Sequence, residues 1–147
     1  MTREVELAPF MKVVVAVRTQ FPSLHTKLAT EHSHVDAVLE IPAQQGLAFP
    51  ISINLQSDEL HLNVAHFWCE WLPCGDPEVS ARFSEALCGL LSGAYRVLEY
   101  SRRGVALKSH LQRTANGGWQ HVASSHRPHV PVSWGMSTKI IQNVPCG

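Results

Sequence analysis

The sequence predicts an α+β fold: a helix, a four-strand antiparallel meander, a second helix, and two or three further antiparallel strands. The strands are expected to form a single curved sheet with the helices packed on one face. Three observations carry this expectation. Short runs between residues 24 and 72 alternate apolar and polar side chains with period two. A capped stretch with apolar residues at helical spacing follows over 76–93. The turn sequences SRRG and NGG then punctuate a second set of alternating runs.

The first element rests on Leu7, Phe10, Val14, Val17 and Phe21, whose spacings of three and four draw one stripe down a helix over about residues 4–20. The β-branched run VVVAV within it would also suit a buried strand, and Pro22 closes the segment in either case. Leu24, Thr26 and Leu28 alternate with His25 and Lys27 as a first strand. Val35, Ala37, Leu39 and Ile41 form a second, and Phe49 to Gln56 a third. Ser57-Asp58 is a two-residue turn into a fourth strand, HLNVAHFWCEW. There the apolar parity slips: Leu60, Leu62 and Val64 hold it first, then Phe67, Cys69 and Trp71. One extra residue near Ala65-His66, a β-bulge, accounts for the slip. It would set His61, His66, Trp68 and Glu70 outward and Cys69 inward.

The second helix, GDPEVSARFSEALCGLLSG, has the clearest signals. Asp76 can accept from the free N–H groups of the first turn, and Pro77 suits the first helical position. Val79, Phe83, Leu87, Leu90 and Leu91 line one face, Glu78 and Arg82 stand four apart on another, and Gly93 ends the helix. Ala94 to Tyr100 and Val105 to Arg113 form a hairpin, and Asn116-Gly117-Gly118 turns into a strand from Trp119 to about Ser124. Residues 1–125 read as one domain. Residues 126–147 read as a loosely attached tail, with one short strand at Lys139 to Asn143.

A chain of 147 residues has the size of one domain and can bury a core without staples. Its net charge is zero, so no global field draws it to nucleic acid or an anionic membrane. Cys69, Cys74, Cys88 and Cys146 show no C-x-x-C spacing. The opening MTREVELAPFMK is charged and lacks the apolar core and cleavage site of a secretory leader. Reduced thiols in a cytoplasmic protein are the expectation. The longest apolar run, Val13 to Val17, is far short of the ~18 residues of a membrane span.

His61, His66, Cys69 and Cys74 stand close enough in sequence to suggest zinc, but H-x4-H-x2-C-x4-C matches no finger or ribbon. An extended strand would also hold His61 and Cys69 about 26 Å apart. No metal, cofactor or catalytic residue is therefore assigned. His66, Trp68 and Glu70, at alternate positions about 7 Å apart, form with His61 a candidate ligand-binding row. Cys74 precedes the second helix, whose dipole would favour a thiolate there. His32, His34, His121, His126 and His129 are loop histidines able to take a metal adventitiously. Arg96, Arg102, Arg103, Lys108 and Arg113 concentrate positive charge on the second hairpin as a candidate interface.

With no catalytic signature, the leading expectation is a small bacterial-type domain that binds a protein partner or itself. Its warrant is the set of Trp and Arg residues that commonly anchor interfaces. The alternative is an enzyme or small-ligand binder with a sheet-face pocket around His66, Trp68 and Glu70. A weaker alternative is nucleic-acid binding through the hairpin from Arg96 to Arg113.

Overall fold

The computed structural model describes residues 6–30, 34–126 and 135–144. In chain order it contains α1 (Ala8–Gln20), β1 (Lys27–Ala29), β2 (Ala37–Ile41), β3 (Ile51–Gln56), β4 (Glu59–Val64), β5 (Phe67–Trp71), α2 (Pro77–Ser92), β6 (Tyr95–Arg102), β7 (Val105–Ala115), β8 (Gly118–His126) and β9 (Ser137–Ile141). The α+β class and the antiparallel pairing are those the sequence predicts. The hydrogen bonds divide the strands into a five-stranded sheet, β1-β2-β3-β4-β5, and a four-stranded sheet, β8-β7-β6-β9. No described helix is long and apolar enough to cross a membrane.

Alternation explains the layering. In the first sheet Leu39, Ile53, Leu55, Leu60, Leu62 and Val64 point to one side and are fully buried. Phe10, Val13, Val14 and Val17 of α1 and Phe83, Leu87, Leu90 and Leu91 of α2 join them in one core. The second sheet adds Val97, Leu111 and Ile141 to that core. Each sheet thus buries one face on the shared core and leaves the other free of helices among the described residues, as antiparallel sheets commonly do.

The local stops are those the residues dictate. Asp76 accepts from the Glu78 backbone N–H at 2.9 Å, and Gly93 closes α2 in the left-handed conformation at φ 88°. Glu78 pairs with Arg82 across one helical turn. Two-residue turns join β3 to β4 at Ser57-Asp58, β6 to β7 at Arg103-Gly104, and β7 to β8 at Asn116-Gly117. The run VVVAV is helical: α1 places three of its valines, Val13, Val14 and Val17, on the buried stripe, and that tertiary contact outweighs β-branching.

The fourth predicted strand is two strands. Instead of a bulge, Ala65-His66 makes a full reversal, with Ala65 at φ 52°, and Val64 pairs with Phe67 across it. A bulge and a two-residue hairpin both shift apolar parity by one, so the pattern alone could not separate them. Within the segment read as a tail, β9 pairs with β6. Beyond it the Asn143 side chain, 2% exposed, donates to the carbonyls of Gly46 (2.8 Å) and Leu91 (2.6 Å) and accepts from the Ala48 N–H (3.0 Å).

Two substitutions test this architecture. A Cβ at Gly89 would stand 2.1 Å from Cδ1 of the buried Tyr95 ring, so Gly89→Ala is expected to cost about 1–3 kcal/mol of stability in urea unfolding. Wild-type stability would refute the helix–sheet contact. Ala65→Gly relieves a left-handed alanine, and a gain of about 0.5–1 kcal/mol is expected. A loss would show that residue 65 does not sit in that conformation.

Candidate functional site

The reversal at Ala65-His66 folds β5 back beside β4, so that Glu70 lies directly opposite His61 and Trp68 opposite Asn63. Glu59 is two residues before His61 and therefore shares its face. On that outer face His61 Nε2 lies 3.1 Å from Glu59 Oε2 and 3.9 Å from Glu70 Oε2. Trp68 stands edge-on to the His61 ring, with centroids 5.3 Å apart. The imidazole is only 5% exposed, because its neighbours close over it, whereas Trp68 remains 44% exposed. Among the described residues this is where three metal-capable side chains converge, their ligand atoms within 4.8 Å of one another.

Three of the four residues in the candidate row, His61, Trp68 and Glu70, are thus brought together. The fourth is not. His66 sits in the turn, and its Nδ1 lies 3.1 Å from Oε2 of Glu99, a buried carboxylate on β6. His66 also borders a cleft of about 420 Å³ lined by Lys108, Ser109, Ser125 and His126. Glu70 borders a second cleft of about 580 Å³, with Arg82, Tyr95, Arg113 and His121. Trp68 lines neither of these clefts.

The separation that argued against a metal assumed a continuous strand, and the hairpin removes that premise for His61 and Glu70. It does not rescue the cysteines. Cys69 faces Leu62 on the core side, and burial pushes its thiol above the usual range. Cys74 is buried at the start of the second helix. Desolvation, then Asp58 and Glu6, raise its thiol too, which outweighs the expected effect of the helix dipole. Cys88 is raised by burial as well. Cys146, His32 and His129 lie outside the described residues, and His34 is exposed.

The five cations of the candidate interface do not form one patch. Register places Arg96 and Lys108 on the outer face of the four-stranded sheet and Arg113 on the inner one, beside Gln120. Arg102 and Arg103 stand at the turn end. The outer face has an order that sequence spacing did not show. Arg96 lies 4.0 Å above the Trp119 ring and donates to Gln112 at 2.8 Å. Tyr100 packs edge-on to His110, which packs edge-on to His121 with centroids 4.1 Å apart. Leu98 and Ile140 pair on the same face, Ile140 being 53% exposed. These contacts link residues on four strands, and only the register brings them together.

Zero net charge conceals a division between the halves. Residues 1–92 carry eleven carboxylates against five Lys or Arg, and residues 93–147 carry one against seven. The segment that builds the four-stranded sheet is therefore the basic half of the chain. Comparison with protein-family models, curated proteins and solved structures gives no match.

His110 supplies a pH test of this geometry. Burial, then the nearby His121 and Lys108, hold its imidazole below the ordinary value of 6.5, and Nδ1 lies 2.6 Å from Ser124 Oγ. Between the native value and 6.5 the unfolded chain binds a proton that the folded chain refuses. This contribution to stability is present above 6.5 and is lost as pH falls through the native value. Urea unfolding from about pH 7.5 to about pH 5 is expected to show a shallower decline for His110→Gln than for the wild type. Equal slopes would remove His110 as the source.

Proposed function

We propose that this chain is a binding module whose basic, helix-free sheet face seats a protein partner with an acidic surface. The observation that carries the reading is the outer face of β6 to β9. There the Arg96–Trp119 stack, the Tyr100–His110–His121 row and the apolar pair Leu98 and Ile140 form one surface. Tryptophan, tyrosine and arginine dominate interface energetics because they bury large areas at low entropic cost and keep a polar handle. The imbalance of charge in this half selects an acidic counterpart and steers its approach. The acidic half of a second copy meets the same requirement, which makes self-association one form of the same interaction.

Nucleic acid is less well supported. Of the cations on β6 to β9, only Arg96 and Lys108 face outward beside the aromatic rings, and Arg96 is already held by Trp119 and Gln112. Tracking a phosphate backbone calls for several free cations along one groove.

Sedimentation, together with affinity capture at low and high salt, tests the reading. The wild type is expected to self-associate or to retain an acidic protein, more weakly as salt rises. Trp119→Ala and Ile140→Glu, each checked for native circular dichroism, are expected to lose that interaction by about tenfold or more. A strict monomer that retains no partner, variants that bind as the wild type does, or a preference for single-stranded nucleic acid would each overturn it.

A further inference from the structure

We propose that Glu59, His61 and Glu70 form a binding site for a first-row divalent transition cation, zinc foremost. The site is on the outer face of the five-stranded sheet and stands independently of the partner-binding reading. Its geometry comes from the backbone. Glu59 and His61 alternate along β4, and the hairpin register sets Glu70 opposite His61. Three side chains on two hydrogen-bonded strands therefore point to one place without help from a flexible loop.

The distances fit a small cation. Bonds of about 2.1 Å in a tetrahedral arrangement separate ligand atoms by roughly 3.4 Å. Here Nε2 of His61 lies 3.1 Å from one carboxylate and 3.9 Å from the other, and all three ligand atoms fall within 4.8 Å. The two glutamate side chains are 35% and 42% exposed, so each can rotate by the small amount that closes the set.

Charge argues in the same direction. Two carboxylates converge on one imidazole nitrogen, which has at most one hydrogen to give. Among the described residues the ion pairs of Glu59 and Glu70 are with His61 alone, so no lysine or arginine stands within ion-pair distance of either. A divalent cation would replace the single shared hydrogen and serve all three groups at once. The imidazole is 5% exposed, and Trp68 covers one side of its ring at 5.3 Å, which limits competing water.

Ligand type sets the class of ion. One imidazole with two carboxylates suits zinc, cobalt or nickel, whereas calcium and magnesium take oxygen ligands throughout. Three protein ligands leave at least one position for water or a further group. That is the pattern of an open site, not of a closed structural one.

The test uses the full chain after treatment with a chelator. Calorimetric titration with zinc is expected to give one site per chain. Glu70→Gln and Glu59→Gln, which change an exposed and a half-buried side chain without altering their size, are expected to keep the fold and weaken binding at least about tenfold, as is His61→Ala. Trp68 supplies a second readout. Cobalt or nickel at the site should quench its fluorescence, and Trp68→Phe should lose most of that quenching while keeping zinc affinity. Absence of one-to-one binding would overturn the proposal. So would folded Glu70→Gln and Glu59→Gln proteins that bind zinc like the wild type, since the metal would then be held adventitiously by other histidines.

Discussion

The two-residue reversal at Ala65-His66 is the constraint on which the arrangement depends. It forces Ala65 into a backbone region that β-carbon sterics disfavour, and the pairing of β4 with β5 offsets that strain. Through the reversal Phe67 enters the core, Trp71 reaches Phe83 on α2, and Glu70 returns beside His61. The same turn projects His66 across to Glu99, tying the first sheet to the second. A continuous strand would have made none of these contacts.

The two sheets then divide the chemistry. Both give their apolar faces to one core around α1 and α2, so each has a single outward face available for recognition. On the first sheet that face collects carboxylates around a covered imidazole, which suits a small cation. On the second it collects aromatic rings, Arg96 and Lys108 beside the apolar pair Leu98 and Ile140, which suits a larger acidic surface. A neutral protein can thus present two opposite electrostatic characters, because its carboxylates and cations are segregated along the chain.

Legibility followed the range of the interaction. The cap at Asp76, the stop at Gly93 and the turns at Ser57-Asp58 and Asn116-Gly117 are local events governed by a few neighbouring residues, and the sequence predicted each one. The valine-rich start was ambiguous, since propensity favoured a strand while spacing favoured a helix. The packing of Val13, Val14 and Val17 decided it. Asn143 gave no sequence signal at all, because its three hydrogen bonds reach residues some fifty to a hundred positions away.

By itself the sequence determined the α+β class, the antiparallel pairing, the capped helix and the inward positions of β2, β3 and β4. Periodicity and capping are properties of contiguous residues. Tertiary structure alone decided whether the parity slip at residue 65 was a bulge or a hairpin, and how the nine strands of the described residues divide between two sheets. It alone decided which of the candidate residues meet. His61 and Glu70 are nine positions apart in sequence, and only the register of a hairpin brings them 3.9 Å apart. Register is fixed by the burial of a whole strand face at once, which no short window of sequence contains.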